Sequence, residues 1–114
     1  RRVLFRSHGF SGDDPIVYIG GKDKEMSHSI TKELRKKDFT VKESPNKIDA
    51  KSSDNIANKN ESNSGVQLEL TTALRKQFFK HYKLDRHTRS DSDKYTKDFY
   101  KFANAVQKGI EKVN

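Results

Sequence analysis

The chain has 114 residues, with 24 Lys and Arg against 16 Asp and Glu, a formal charge of +8 and a mean hydropathy of −1.05. That length allows one domain, and no apolar run approaches the ~18–20 residues that a membrane helix needs. The absence of Cys excludes a disulfide scaffold, a Cys-zinc module and thiol catalysis, while the basic balance points to an acidic partner.

Arg1-Arg2-Val3-Leu4-Phe5-Arg6-Ser7 reads as one frame of a sequencing-library adapter, the alternative being a genuine basic-apolar strand. The adapter reading sets residues 1–7 apart and starts the native segment at His8. It leaves 21 cations against 16 anions, a charge of +5. His8-Gly9-Phe10-Ser11-Gly12-Asp13-Asp14-Pro15 is expected to be a loop, because its glycines, acids and Pro suit neither a helix nor a central strand. Ile16-Val17-Tyr18-Ile19, mostly β-branched and bounded by Pro15 and Gly20-Gly21, predicts a strand buried on both faces. Met26, Ile30 and Leu34 then recur every four residues and predict a helix over 22–37, closed by the cations Arg35, Lys36 and Lys37. Phe39-Thr40-Val41 predicts another short strand.

Residues 44–64 are dominated by Ser, Asn, Lys and Asp, and so read as a long loop. Val66-Gln67-Leu68-Glu69-Leu70 alternates three aliphatics with two polar residues, a strand with Gln67 and Glu69 on one face. Leu74, Phe78 and Tyr82 predict a helix capped by Thr71 or Thr72. A polar link over 85–93 leads to a last helix carrying Tyr95, Phe99, Phe102, Val106, Ile110 and Val113. This order predicts an α/β sheet layered by helices, with too few strands for a complete doubly wound domain.

Ligands of such folds gather at the carboxyl ends of strands. Glu69 is the least expected residue by composition, since Glu is depleted in strands and rarely buried alone. Periodicity leaves it open between a solvent-facing place on an edge strand and a buried general base. His8 by itself reads as a loop His bonding the backbone, and Asn55, Asn58 and Asn60 as turn residues. His28, His81, His87 and the basic stretch 32–37 read as solvated surface. Gly20-Gly21 lacks the spacing of a phosphate loop.

Taken in order, His8-Gly9, Asp14-Pro15-Ile16-Val17-Tyr18-Ile19-Gly20-Gly21, Asp54-Asn55-Ile56-Ala57-Asn58-Lys59 and Gly65-Val66-Gln67-Leu68-Glu69-Leu70 resemble the poly-γ-glutamate hydrolase family. The resemblance covers residues 8–80. It implies that residues 8–114 are the C-terminal part of a three-layer, carboxypeptidase-like zinc-hydrolase domain, α/β, with a mixed sheet flanked by helices. It implies a zinc-dependent peptidase cutting γ-glutamyl amide bonds of an acidic polymer, with a bacterial or phage origin and an extracellular substrate; the compartment stays open. His8 falls on the family's third zinc ligand, the first two lying in an N-terminal segment outside these 114 residues, so the piece alone should be inactive. Glu69 falls on the catalytic carboxylate, which would take a proton from zinc-bound water and deliver it to the leaving amine. Asn55 and Asn58 would serve the oxyanion, and Lys59 and Arg75 the substrate carboxylates. The chain departs from the family in having Lys59 where an Arg is usual, and Thr71 and Thr72 where an Arg commonly follows the catalytic Glu. These changes bear on substrate identity.

Two other readings compete. A small basic nucleic-acid-binding protein would explain the charge, but no such motif is present, and the aromatics of 95–102 fall on a core stripe rather than a stacking platform. A domain that kept the fold and lost the chemistry is the third. A monomer is expected.

Overall fold

The computed structural model describes residues 12–44 and 65–113, together with the backbone of residues 3–10. Asn55, Asn58 and Lys59 lie outside these described residues, as does the rest of 45–64. The elements are β1 (Val3–Phe10), β2 (Ile16–Gly20), α1 (Lys24–Lys36), β3 (Thr40–Glu43), β4 (Val66–Thr71), α2 (Thr72–Gln77), α3 (Arg86–Ser90) and α4 (Lys97–Val113). Single 3-10 turns occupy Lys80–Tyr82 and Ser92–Lys94. Among the described residues no helix is long and apolar enough to cross a membrane.

The strands form one mixed sheet in the order β1-β4-β2-β3. β1 runs parallel to β4 and β2 parallel to β3, whereas β2 and β4 are antiparallel. The strand β1 corrects the loop expected from His8 onward: it takes in residues 3–7 and continues through His8 to Phe10. Ladder pairing with β4 outweighs the local preference of Gly9, and the register shifts between Arg6 and Phe10, where that glycine lies.

Val17 and Ile19 of β2 stand opposite Leu70 and Leu68 of β4, so these four side chains share a face. Met26, Ile30 and Leu34 of α1, Leu74 and Phe78 at α2, and Phe102, Ala105 and Val106 of α4 complete one apolar core with them. All three α1 anchors are fully buried, and truncating such a residue to Ala costs about 2–5 kcal/mol. Phe102 meets Phe39 edge-on at 5.6 Å between ring centres and leans on Phe78 at 5.2 Å.

Helix α1 begins where Asp23 accepts the amide of Met26 at 3.0 Å, and the Asp23 amide in turn donates to the carbonyl of Gly65. Gly21 makes that approach possible. Its φ is +118°, and a Cβ there would stand 2.1 Å from the Gly65 carbonyl oxygen. The helix ends in a Schellman turn, with Asp38 N donating to Arg35 O and Phe39 N to Leu34 O, and with Asp38 left-handed at φ +68°. Phe39 is spent on that turn, so the strand starts at Thr40.

Two further expectations are corrected downstream. The helix predicted to reach Tyr82 stops at Gln77, because Phe79 turns extended and pairs in an isolated bridge with Tyr95. That bridge keeps Tyr95 out of the last helix, which opens at Lys97. The link 85–93 holds the short helix α3.

Candidate active site

Glu69 sits on β4, an inner strand, with Arg6 of β1 and Tyr18 of β2 as its backbone register partners. All six residues of β4 are buried, and Glu69 is 3% exposed. The edge-strand alternative is thereby excluded. A carboxylate removed from water needs partners. One is Gln67, buried two residues earlier on the same face, whose Nε2 donates to Glu69 Oε1. Gln67 escaped the sequence reading as a site residue. The signal was its place in the alternation, which puts the two polar side chains side by side on the face turned away from Leu68.

The chain turns directly from β4 into α2 through Thr71. Its hydroxyl accepts the amides of Leu74 at 3.2 Å and Ile16 at 3.0 Å, and donates to the carbonyl of Asp14 at 2.8 Å. One donor and two lone pairs are then all used, which fixes the turn. The expected cap is therefore Thr71 rather than Thr72.

Arg75 lies on α2, beyond the carboxyl end of β4. One Nη donates to Thr72 Oγ1 at 3.3 Å, while among the described residues the buried Nε has no hydrogen-bond partner. A guanidinium held this way keeps donors to offer a carboxylate. His8 lies on the neighbouring parallel strand, between Arg6, which pairs with Glu69, and Phe10, which pairs with Thr71. The backbone thus brings His8, Glu69 and Arg75 to one end of the β1–β4 pair.

Among the described residues no three His, Cys, Asp or Glu side chains come together as a metal cage. A catalytic zinc takes three protein ligands, and the described residues do not supply such a set by themselves. The chemistry they can carry is that of a buried carboxylate on β4, with Arg75 on the helix that follows that strand.

Similar proteins share this arrangement of elements. A solved bacteriophage poly-gamma-glutamate hydrolase superposes with a TM-score of 0.85 at 28% identity, matching 97% of this chain and 52% of its own length. The YNDL-apo (Zinc-free) structure superposes at 0.82 with 22% identity, over 96% of this chain and 53% of its own, which bears on the fold alone. Two Bacillus subtilis (strain 168) proteins are related in sequence. UPF0714 protein YmaC is 26% identical over 92% of this chain and 44% of its own length. SPbeta prophage-derived UPF0714 protein YoqZ is 29% identical over 68% and 29%. The chain therefore spans less than half the length of these curated relatives. The profile of the family described as poly-gamma-glutamate hydrolase matches residues 1–105, so the chain belongs to that family.

Proposed function

We propose that the whole protein hydrolyses γ-glutamyl amide bonds of poly-γ-glutamate, and that Glu69 is its proton-carrying carboxylate. The observation behind this reading is the buried Glu69 on an inner strand, held by Gln67 and flanked by the strand that bears His8. Glu69 takes the proton of the attacking water and returns it to the leaving amine. Gln67 donates to Oε1 and holds the carboxylate in one orientation for proton transfer. Arg75 binds a substrate carboxylate, and Lys59 adds a point charge without the geometry of a guanidinium fork. Asn55 and Asn58 donate to the oxygen that gains charge.

Zinc belongs to this reading at the family level, as the Lewis acid of the site. His8 would supply one ligand, and the others would come from the share of the relatives' length that this chain does not span. The 114 residues alone are then inactive. The adapter origin of residues 1–7 is likewise a proposal, tested by the genomic DNA immediately upstream of the His8 codon.

The test is cleavage of poly-γ-glutamate by the full-length protein, with and without a chelator. Glu69→Gln is expected to lower kcat by about 10²–10⁴-fold. Unchanged turnover in that variant refutes the role of Glu69, and chelator-insensitive cleavage refutes the metal.

A further inference from the structure

A cavity of about 500 Å³ opens between α1 and the strand pair β2–β3, apart from the carboxylate on β4. Because β2 runs antiparallel to β4, the carboxyl ends of β2 and β3 lie at the opposite end of the sheet from Arg75. Lys24, Ser27, His28 and Arg35 line the cavity from one flank of α1, beside the stripe of Met26, Ile30 and Leu34 that faces the core. Lys42 and Ser44 line it from β3 and its end, and among the described lining residues Glu43 is the one acid.

Two observations make this more than a basic surface. Among the described residues, Ser27 Oγ and Ser44 Oγ, on opposite walls, are both buried and make no hydrogen bond within the protein. Each hydroxyl can therefore donate to an acceptor in the cavity. The basic side chains of this flank also form a row: Lys24 and Arg35 stand about 16 Å apart along the helix axis, with the imidazole of His28 between them. A single small anion meets only part of such a row, whereas a polymer with one carboxylate on every unit meets all of it. Arg35 is already braced by donating to the carbonyl of Val41 at 2.9 Å, which leaves its other N–H groups to turn outward. Among the described residues that line the cavity there is no Phe, Tyr or Trp on which a nucleic-acid base could stack.

We propose that this groove is an accessory binding site for the polycarboxylate chain. The proposal rests on the reading of the substrate given above and adds a second point of attachment to it. A polymer held there raises its own effective concentration at Glu69, so the benefit falls on long chains and not on short ones.

The experiment uses the full-length protein. In a Glu69→Gln background, long poly-γ-glutamate is titrated at low and at physiological salt, with and without the pair Lys24→Gln and Lys42→Gln. The pair is expected to raise Kd roughly tenfold and to reduce the slope of log K on log salt by about two charges. Glu43→Gln is expected to tighten binding, an opposite shift that misfolding does not imitate. In the otherwise unsubstituted enzyme, the same Lys pair leaves kcat/KM on a short γ-glutamyl oligomer within about twofold. Unchanged polymer affinity overturns the proposal, as does an equal loss on the short oligomer. Single-stranded DNA that binds as tightly and is weakened equally overturns the polycarboxylate assignment. Failure of the substrate reading shows separately, as an enzyme that does not cleave the polymer at all.

Discussion

The hydroxyl of Thr71 accepts the amide of Ile16 across 3.0 Å, joining residues 55 positions apart at the point where one strand begins and another hands over to a helix. The same oxygen caps α2 and holds the carbonyl of Asp14. Thr71→Val keeps the shape and loses all three bonds. The expected cost is about 2–3 kcal/mol, read as a lower denaturation midpoint of the full-length protein, with Thr71→Ser recovering most of it. A Val variant as stable as the parent contradicts the hub.

Among the described residues, Arg75 keeps a buried Nε without a partner while one Nη is tied to Thr72. Lysine at this position retains the charge and loses the fork. Arg75→Lys is expected to raise KM for poly-γ-glutamate roughly tenfold with kcat nearly unchanged, the pattern of lost uniform binding. A fall in kcat with KM unchanged places the residue in the chemical step instead.

Glu33 is buried on α1 and receives Lys112 Nζ of α4 at 2.6 Å and Lys36 Nζ at 3.2 Å. The hydrogen bond from Lys112 holds its carboxyl below the ordinary 4.5, against burial, which raises it, and Lys36 adds to the lowering. The folded state therefore binds fewer protons than the unfolded one near that value. The stabilisation is complete above pH 4.5 and is lost as pH falls through the lowered value. At the other extreme, the Glu33 hydrogen bond raises Lys112 above 10.5, so the contribution holds below 10.5 and fades as pH climbs through the raised value. Denaturation of the parent and of Lys112→Met should differ at pH 7 and converge as pH falls below the lowered Glu33 value. A gap that is the same at both pH values removes the ion pair as its cause.

Gly109 is buried in α4, and a Cβ there would lie 2.7 Å from Ile30 Cα and 3.0 Å from Ile30 N. In an open helix Ala gains about 1 kcal/mol over Gly. Here the neighbour is backbone and cannot swing aside, so α1 and α4 must separate. Gly109→Ala is expected to lose about 1–2 kcal/mol net. A raised Tm shows that the helices can part at no cost.

Much of the fold was legible because its elements carry their own period. Met26, Ile30 and Leu34 mark α1, and Val66, Leu68 and Leu70 mark β4, whatever surrounds them. The rest depends on partners far along the chain. Nothing local in His8-Gly9-Phe10 announces a strand, since that part of β1 is made by the ladder that β4 offers. Arg86–Ser90 has no apolar stripe to betray a helix. The early end of α2 depends on the pairing of Phe79 with Tyr95. At the candidate site, Glu69 stood out as a carboxylate in a strand. Its burial and its bond from Gln67 needed the sheet order, which puts β4 inside. Asn55, Asn58 and Lys59 were legible only through resemblance, and they lie outside the described residues.

The seam between α1 and α4 joins helices far apart in the chain: Ser29 Oγ donates to the carbonyl of Gly109 at 2.7 Å across 80 positions, and Lys112 reaches Glu33 across 79. A ribosome adds about 5–20 residues per second, so several seconds pass between the emergence of α1 and that of its cover. Throughout that interval Ile30 and Glu33 lack the neighbours that later enclose them. A nascent chain stalled before Lys97 thus presents a bare flank of α1 where α4 later lies.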